Sequence, residues 1–152
     1  MYSNVLTMRS DNSSQDQDAF SGVKQPTESR RILLVDDEEA IRQICAETLA
    51  RYGYHVDTAG DGETGWEMLN AASFDSDAYD LLITDNNMPK LSGFDLVKRL
   101  RLANIELPVI MASGMVSVSR MDTESLGLAA VLAKPFFPRD LIDTVKRVLN
   151  ET

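Results

Sequence analysis

Short apolar runs recur along this chain, and each run is followed by a stretch with helical periodicity. Residues 32–35 form one such run, and apolar side chains then recur every three or four positions between Ile41 and Tyr52. An uninterrupted apolar run is typical of a strand buried on both faces, whereas the longer spacing predicts an amphipathic helix. The pair of patterns occurs five times, which predicts a parallel β-sheet between two layers of helices.

The predicted elements fall within residues 30–150, which we assign to one doubly wound α/β domain. We expect strands at residues 32–35, 55–59, 81–84, 107–112 and 130–133. We expect helices at residues 41–52, 62–72, 93–103 and 119–126, and a fifth that begins at Pro138. Cys45, Trp66, Phe136 and Phe137 are expected to pack inside. Right-handed crossovers would place the carboxyl ends of all five strands at one edge, where ligands of such folds bind.

Composition and net charge limit the cellular location and the kinds of partner that we expect for this chain. Residues 1–29 are rich in Ser, Asp, Gln and Asn, which predicts a flexible N-terminal tail, and they lack a secretory signal pattern. No stretch approaches the roughly 18 apolar residues of a membrane span, and the single cysteine excludes an internal disulfide. The net charge of −9 argues against direct nucleic-acid binding. We therefore expect a cytoplasmic protein without membrane insertion.

Polar residues follow four of the five predicted strands. Asp36 and Asp37 come directly after the first strand, Asp85 after the third, Ser113 after the fourth and Lys134 after the fifth. Three carboxylates at one edge would repel one another unless a cation screened them. Mg²⁺ suits such oxygen ligands and completes its shell with water and phosphate oxygens. A lysine and a hydroxyl nearby could bind the remaining oxygens of a transferred phosphoryl group.

Three short motifs carry a resemblance to a known family. They are Val-Asp-Asp-Glu at residues 35–38, Asp-Asn-Asn-Met-Pro at residues 85–89 with Ser92–Gly93 after it, and Lys-Pro-Phe at residues 134–136. In this order and spacing, over about residues 30–150, they resemble the receiver domains of response regulators, in particular single-domain receivers of the chemotaxis type. The resemblance implies a flavodoxin-like (βα)5 fold with strand order 2-1-3-4-5.

The resemblance also implies a role for each matching residue. Asp85 corresponds to the phosphoacceptor, whose carboxylate attacks phosphorus. Asp37 corresponds to a direct carboxylate ligand of Mg²⁺, Asp36 to a neighbour that acts through bound water, and Asn87 to a ligand through its backbone carbonyl. Lys134 corresponds to the cation that pairs with Asp85 and then with the phosphoryl group.

The switching part of the family pattern is only partly present. Ser113 corresponds to the hydroxyl that moves to hydrogen-bond the phosphoryl group, but Val131 stands where the family commonly has an aromatic ring. We therefore expect switching to depend on Ser113 and on residues 114–119, and to alter the surface around the fourth helix, fifth strand and fifth helix. The implied partners are a sensor histidine kinase or histidine phosphotransfer protein as donor and a downstream protein as target.

Other interpretations remain open on the residues alone. Asp36 and Asp37 could cap the first helix without binding a metal. A Mg²⁺-dependent phosphatase with an aspartyl nucleophile is a second candidate, although such enzymes carry Asp-x-Asp after the first strand and a capping insertion. A pseudo-receiver that binds partners without phosphorylation is a third. Because few residues follow position 150, we expect output through docking or onward phosphotransfer, unless the chain is a fragment of a larger regulator.

Overall fold

A computed structural model describes residues 29–114 and 118–151. Five strands and five helices alternate along this part of the chain. They are β1 Arg31–Val35, α1 Glu39–Arg51, β2 His55–Ala59, α2 Gly62–Ala72, β3 Leu81–Asp85, α3 Gly93–Leu102, β4 Val109–Ser113, α4 Arg120–Leu126, β5 Ala130–Ala133 and α5 Pro138–Val148. The tail predicted at residues 1–29 lies almost entirely outside the described residues.

All five strands are parallel and form one sheet in the order β2-β1-β3-β4-β5. The register places Val35 opposite Thr84, Asp85 opposite Ala112 and Ser113 opposite Ala133. The carboxyl ends of the central strands therefore meet at the same edge. The predicted doubly wound fold and its strand order are confirmed.

Alternate residues of each strand point to opposite faces of the sheet, so the core forms two layers. Leu33 and Val35 of β1 pack on one side with the apolar residues of α2, α3 and α4. Ile32 and Leu34 pack on the other side with those of α1 and α5. The three central strands β1, β3 and β4 are buried almost throughout because helices cover both faces of the sheet, whereas the edge strands β2 and β5 are partly exposed.

The structure corrects several expectations at element ends. β4 begins at Val109 rather than at residue 107, and the carbonyl of Pro108 accepts the hydrogen bond from the amide of Leu82. The expectation that Phe137 packs inside is wrong, because it occupies the N-cap of α5 and its side chain is 75% exposed. Ile44 and Tyr52 fit the helical period of α1 but are 57% and 56% exposed.

The other expected core residues lie as predicted. Cys45 is buried between α1 and α5, Trp66 packs against the core on the α2 side, and Phe136 packs against the α1–α5 layer. Gly53 follows the C-cap of α1 with φ of 92°, a left-handed conformation that glycine adopts without strain. None of the helices in the described ranges is long and apolar enough to cross a membrane.

Candidate functional site

The strand ends position the predicted site residues at one edge of the sheet. Asp36 directly follows β1, Asp85 is the last residue of β3, Ser113 is the last residue of β4, and Lys134 directly follows β5. The backbone amide of Lys134 donates to the carbonyl of Ser113 over 2.9 Å, which ties the last two of these residues together.

Three carboxylates form the centre of this edge. Asp36, Asp37 and Asp85 each offer one oxygen, and these oxygens lie within 4.8 Å of one another. Asp36 and Asp85 are 4% and 7% exposed, whereas Asp37 is exposed to solvent. Asp36 is fixed further because one carboxylate oxygen accepts the backbone amide of Glu38 over 2.9 Å. The three residues from two strand ends are thus close enough to share a cation, as predicted.

Lys134 provides the positive charge of the site. Its Nζ lies 2.8 Å from Asp36 Oδ2, 3.6 Å from Asp85 Oδ1 and 3.7 Å from Glu38 Oε1. Burial alone would lower the pKa of Lys134, but the hydrogen bond to Asp36 and the nearby carboxylates outweigh it and raise that pKa. Lys134 is therefore held in its charged form between the acids. Its shortest contact is with Asp36, whereas the resemblance assigned it to Asp85.

The environment of Asp85 opposes its ionisation. Burial raises the pKa of the Asp85 carboxyl above its usual value, Lys134 partly offsets this effect, and the negative charge of Asp36 adds to it. A cation bound beside Asp85 would favour the ionised form, which is the form that acts as a nucleophile. A bound cation would therefore make this carboxyl a better nucleophile.

The segment after β3 folds back onto Asn86, the residue that directly follows Asp85. The carbonyl of Asn86 accepts the amides of Met88 and Gly93 over 3.1 and 3.0 Å, and the Asn86 side-chain oxygen accepts the amide of Phe94 over 3.0 Å. Gly93 lies so close that a Cβ atom there would overlap the carbonyl oxygen of Asp85. The sequence interpretation gave Asn86 no role, and its position directly after Asp85 is the signal that could have found it.

Ser113 and Asn87, the remaining predicted site residues, lie at the same edge of the sheet. Ser113 is buried at the end of β4. Asn87 is exposed, two residues after Asp85. Of the residues predicted to switch, 115–117 lie outside the described ranges. Glu38 approaches Lys134 and was not predicted, although it directly follows the acidic pair.

A cavity of about 530 Å³ adjoins the site between α1 and α5. Apolar residues form most of its wall, and Lys134 and Glu38 line it as well. Ile44 is among the lining residues, so its exposure is explained by this opening.

Comparison with known proteins decides the family. The model of the response regulator receiver domain matches residues 32–146. This chain belongs to the response-regulator receiver family. Receiver domains bind Mg²⁺ at an acidic pocket, and the cluster of Asp36, Asp37 and Asp85 forms such a pocket here. They are signalling domains of two-component systems and typically act as switches rather than as true enzymes.

Individual relatives of this receiver differ in length. The chain is 31% identical over 121 residues to the response regulator receiver protein CpdR of Brucella abortus, covering 79% of this chain and 97% of CpdR. It is 34% identical over 125 residues to the alkaline phosphatase synthesis transcriptional regulatory protein PhoP of Bacillus subtilis, covering 82% of this chain but 50% of PhoP. The receiver thus spans about half of some longer relatives.

Solved structures agree with the fold of this receiver. The chemotaxis response regulator CheY4 of Vibrio cholerae matches with a TM-score of 0.68 and 35% identity, over 80% of this chain and 99% of CheY4. The receiver domain of a Francisella response regulator matches with a TM-score of 0.71 and 29% identity, over 80% of this chain and 98% of that domain.

Proposed function

We propose that this receiver is a phosphoryl-accepting switch in which Asp85 takes a phosphoryl group while Mg²⁺ is bound beside it. The observation that carries the proposal is the convergence of three carboxylates within 4.8 Å and of Lys134, 3.6 Å from Asp85. A plain helix cap would not require acids from two strand ends together with a largely buried lysine. The donor is a phosphohistidine on a sensor kinase or a phosphotransfer protein.

The donor set of the acidic cluster fits Mg²⁺. All of its side-chain ligand atoms are carboxylate oxygens, and Asp37 is exposed, which leaves room for the waters that Mg²⁺ retains. Asp37 and Asp85 would bind the ion directly, Asp36 through water, and Asn87 through its backbone carbonyl. The bound ion would supply positive charge to the phosphoryl oxygens and to the carboxylates.

The chain's own residues would then position the transfer. An Asp85 carboxylate oxygen forms a bond to phosphorus while the bond from phosphorus to the donor imidazole nitrogen breaks, and the imidazole leaves with the electron pair. Lys134 pairs with a phosphoryl oxygen, and the Ser113 hydroxyl donates a hydrogen bond to another. Little acid–base chemistry is needed, because positioning and charge neutralisation dominate phosphoryl transfer.

The output of the switch would be a change in the surface around α4, β5 and α5, which a downstream protein reads in the cytoplasm. Val131 in β5 is 39% exposed and provides no aromatic ring that could turn inward. Ser113 therefore has to connect the phosphoryl group to α4, which follows β4 in the chain. This is a two-state change biased by a local charge.

Phosphorylation by a small donor tests this proposal. Incubation with acetyl phosphate and Mg²⁺ should add one phosphoryl group to each molecule, as measured by intact mass. Asp85→Asn should abolish the adduct and EDTA should prevent it, because the first removes the nucleophile and the second removes the cation. Asp143→Asn on the exposed side of α5 is the matched control and should leave the adduct unchanged.

Two other results would replace the proposal. Many turnovers of a phosphate monoester per molecule, without a stable adduct, would indicate an aspartyl phosphatase. No adduct in the unaltered protein would indicate a pseudo-receiver that binds partners without phosphorylation.

A further inference from the structure

Within helix α4 itself the buried attachment lies at the C-terminal end, whereas on the N-terminal side the partly buried Val118 packs against the core just before the N-cap. Leu126, its last residue, is the only buried residue among its seven. At the other end, the amide of Asp122 donates to the Ser119 side chain over 3.0 Å and the amide of Ser119 donates to Asp122 over 3.3 Å. These capping contacts stabilise the first turn internally and do not fasten it to another element.

One side chain of α3 holds the attached end. Arg101 Nε donates to the carbonyl of Leu126 over 3.0 Å, and Arg101 Nη2 donates to the carbonyl of Gly127 over 3.1 Å. The carbonyls at a helix C-terminus lack partners within the helix, so the guanidinium supplies donors to this end of α4.

The same guanidinium is also fixed from the opposite side. Arg101 Nη1 donates to the carbonyls of Ile105 and Leu107 over 3.1 and 2.9 Å, in the segment that enters β4. Burial lowers the pKa of Arg101, which agrees with a guanidinium that has exchanged water for these four carbonyls. The planar geometry of arginine suits such a set of fixed acceptors, whereas a lysine could satisfy fewer of them.

We propose that Arg101 is the positioning residue about which α4 pivots. It holds the C-terminal end of α4 against α3 and the entry to β4, so a change at the phosphoacceptor edge displaces the N-terminal half of the helix. The C-terminal half then stays in place, and partner proteins read a tilt of α4 rather than a displacement of the whole helix. This inference rests on the proposed phosphoryl switch and says which half of α4 moves when the switch operates.

Residue-resolved amide exchange by NMR tests the pivot, with Mg²⁺ and fluoroberyllate as the phosphoryl mimic. In the unaltered protein, the mimic should change exchange at residues 122–124 and leave residues 126–128 unchanged. In Arg101→Met, exchange at residues 126–128 should be on the order of tenfold faster without the mimic, because hydrogen bonds from a charged donor are lost. The mimic should then change both halves of the helix.

Two further variants serve as a control and as an intermediate case for Arg101→Met. Arg99→Met removes an arginine from the same helix, but Arg99 pairs with Glu63 and lies over Trp66 on the α2 side, so α4 should behave as in the unaltered protein. Arg101→Lys keeps the charge with fewer donors and should fall between the two; it serves if the methionine variant does not fold. Phosphorylation of Asp85 by acetyl phosphate should be unchanged in all three variants.

The outcomes separate the pivot from the switch. If Arg101→Met and Arg101→Lys exchange at residues 126–128 as slowly as Arg99→Met, or if the mimic changes both halves of α4 equally in the unaltered protein, the pivot is wrong. An adduct on Asp85 in that case leaves the proposed switch standing. If the unaltered protein forms no adduct and does not respond to the mimic, both proposals are wrong.

Discussion

The contacts of Lys134 are more specific than the motif that predicted this residue. The Lys-Pro-Phe motif and the strand pattern predicted a lysine at the acidic edge, and the structure places it there. The sequence could not decide which carboxylate it contacts most closely, because Asp36, Glu38 and Asp85 all lie within its reach. That choice depends on side-chain positions to within about 1 Å, which residue spacing does not encode.

The contacts among Arg31, Asp57 and Tyr79 were not predicted from the sequence. Asp57 in β2 accepts a hydrogen bond from the Tyr79 hydroxyl over 2.7 Å and pairs with Arg31 over 2.8 Å. Arg31 also lies over the Tyr79 ring, 4.6 Å from its centroid. Tyr79 lies in the segment between α2 and β3, where the sequence has no periodic pattern from which a contact with β2 could be predicted.

The Tyr79 hydroxyl should therefore stabilise the fold in a pH-dependent way. Burial and then the hydrogen bond to Asp57 raise the pKa of Tyr79 to about 12, compared with an ordinary value of 10.0. A raised pKa means that the contribution is complete below pH 10 and is lost as the pH rises towards 12. Tyr79→Phe should lower the free energy of unfolding by about 1 kcal/mol at neutral pH.

Urea unfolding at a series of pH values measures this contribution. The difference between the unaltered protein and Tyr79→Phe should stay constant from neutral pH to pH 10 and shrink above it. Tyr52→Phe, at a ring that is more than half exposed, should change stability little. A difference that is absent at neutral pH, or that grows above pH 10, would contradict the assignment.

Hydrophobic periodicity predicted every strand and helix in the described ranges. It predicted the first and last residues of these elements less accurately. The predicted helices of residues 62–72 and 119–126 match α2 and α4 to within one residue, and the structure shows that Asp61 and Ser119 are their N-caps. Phe137 was misassigned because its apolar side chain alone suggested burial. At the N-cap of α5 this side chain is exposed to solvent instead. The opening beside α1 likewise left Ile44 exposed although its spacing fits the core face.

The junction of β3 and α3 depends on Gly93 having no side chain. A Cβ atom there would overlap the backbone carbonyl of Asp85, the last residue of β3, so the β3 backbone would have to shift. Gly93→Ala should therefore lower the free energy of unfolding by about 2 kcal/mol, as overpacking at a rigid site does.

Chemical denaturation of two alanine variants checks this junction. Gly114→Ala is the matched control, because its Cβ would lie 3.5 Å from the Lys134 Cβ, an ordinary contact, and its effect should be well below 1 kcal/mol. Equal stability of the two variants would show that the contact at Gly93 can relax.

At the scale of the whole molecule, the sheet determines which residues meet. Alternating patterns predicted that strand ends separated by long stretches of chain share one edge, and the structure places Asp37 and Asp85 there. The strand order itself followed from the resemblance and not from the patterns, because hydrophobic periodicity does not specify which strands are neighbours. The tilt of α4 about Arg101 could not be predicted from the sequence either, since it depends on contacts between three separate elements.

Diffraction from crystals prepared with Mn²⁺ in place of Mg²⁺ and with fluoroberyllate tests whether the acidic cluster holds a divalent ion beside a phosphoryl mimic on Asp85. We expect one anomalous peak within direct coordination distance of carboxylate oxygens of both Asp37 and Asp85, with beryllium bonded to Asp85 and Lys134 Nζ contacting a fluoride. An ion held away from Asp37 and Asp85, or fluoroberyllate absent from Asp85, would contradict the proposed phosphoryl switch.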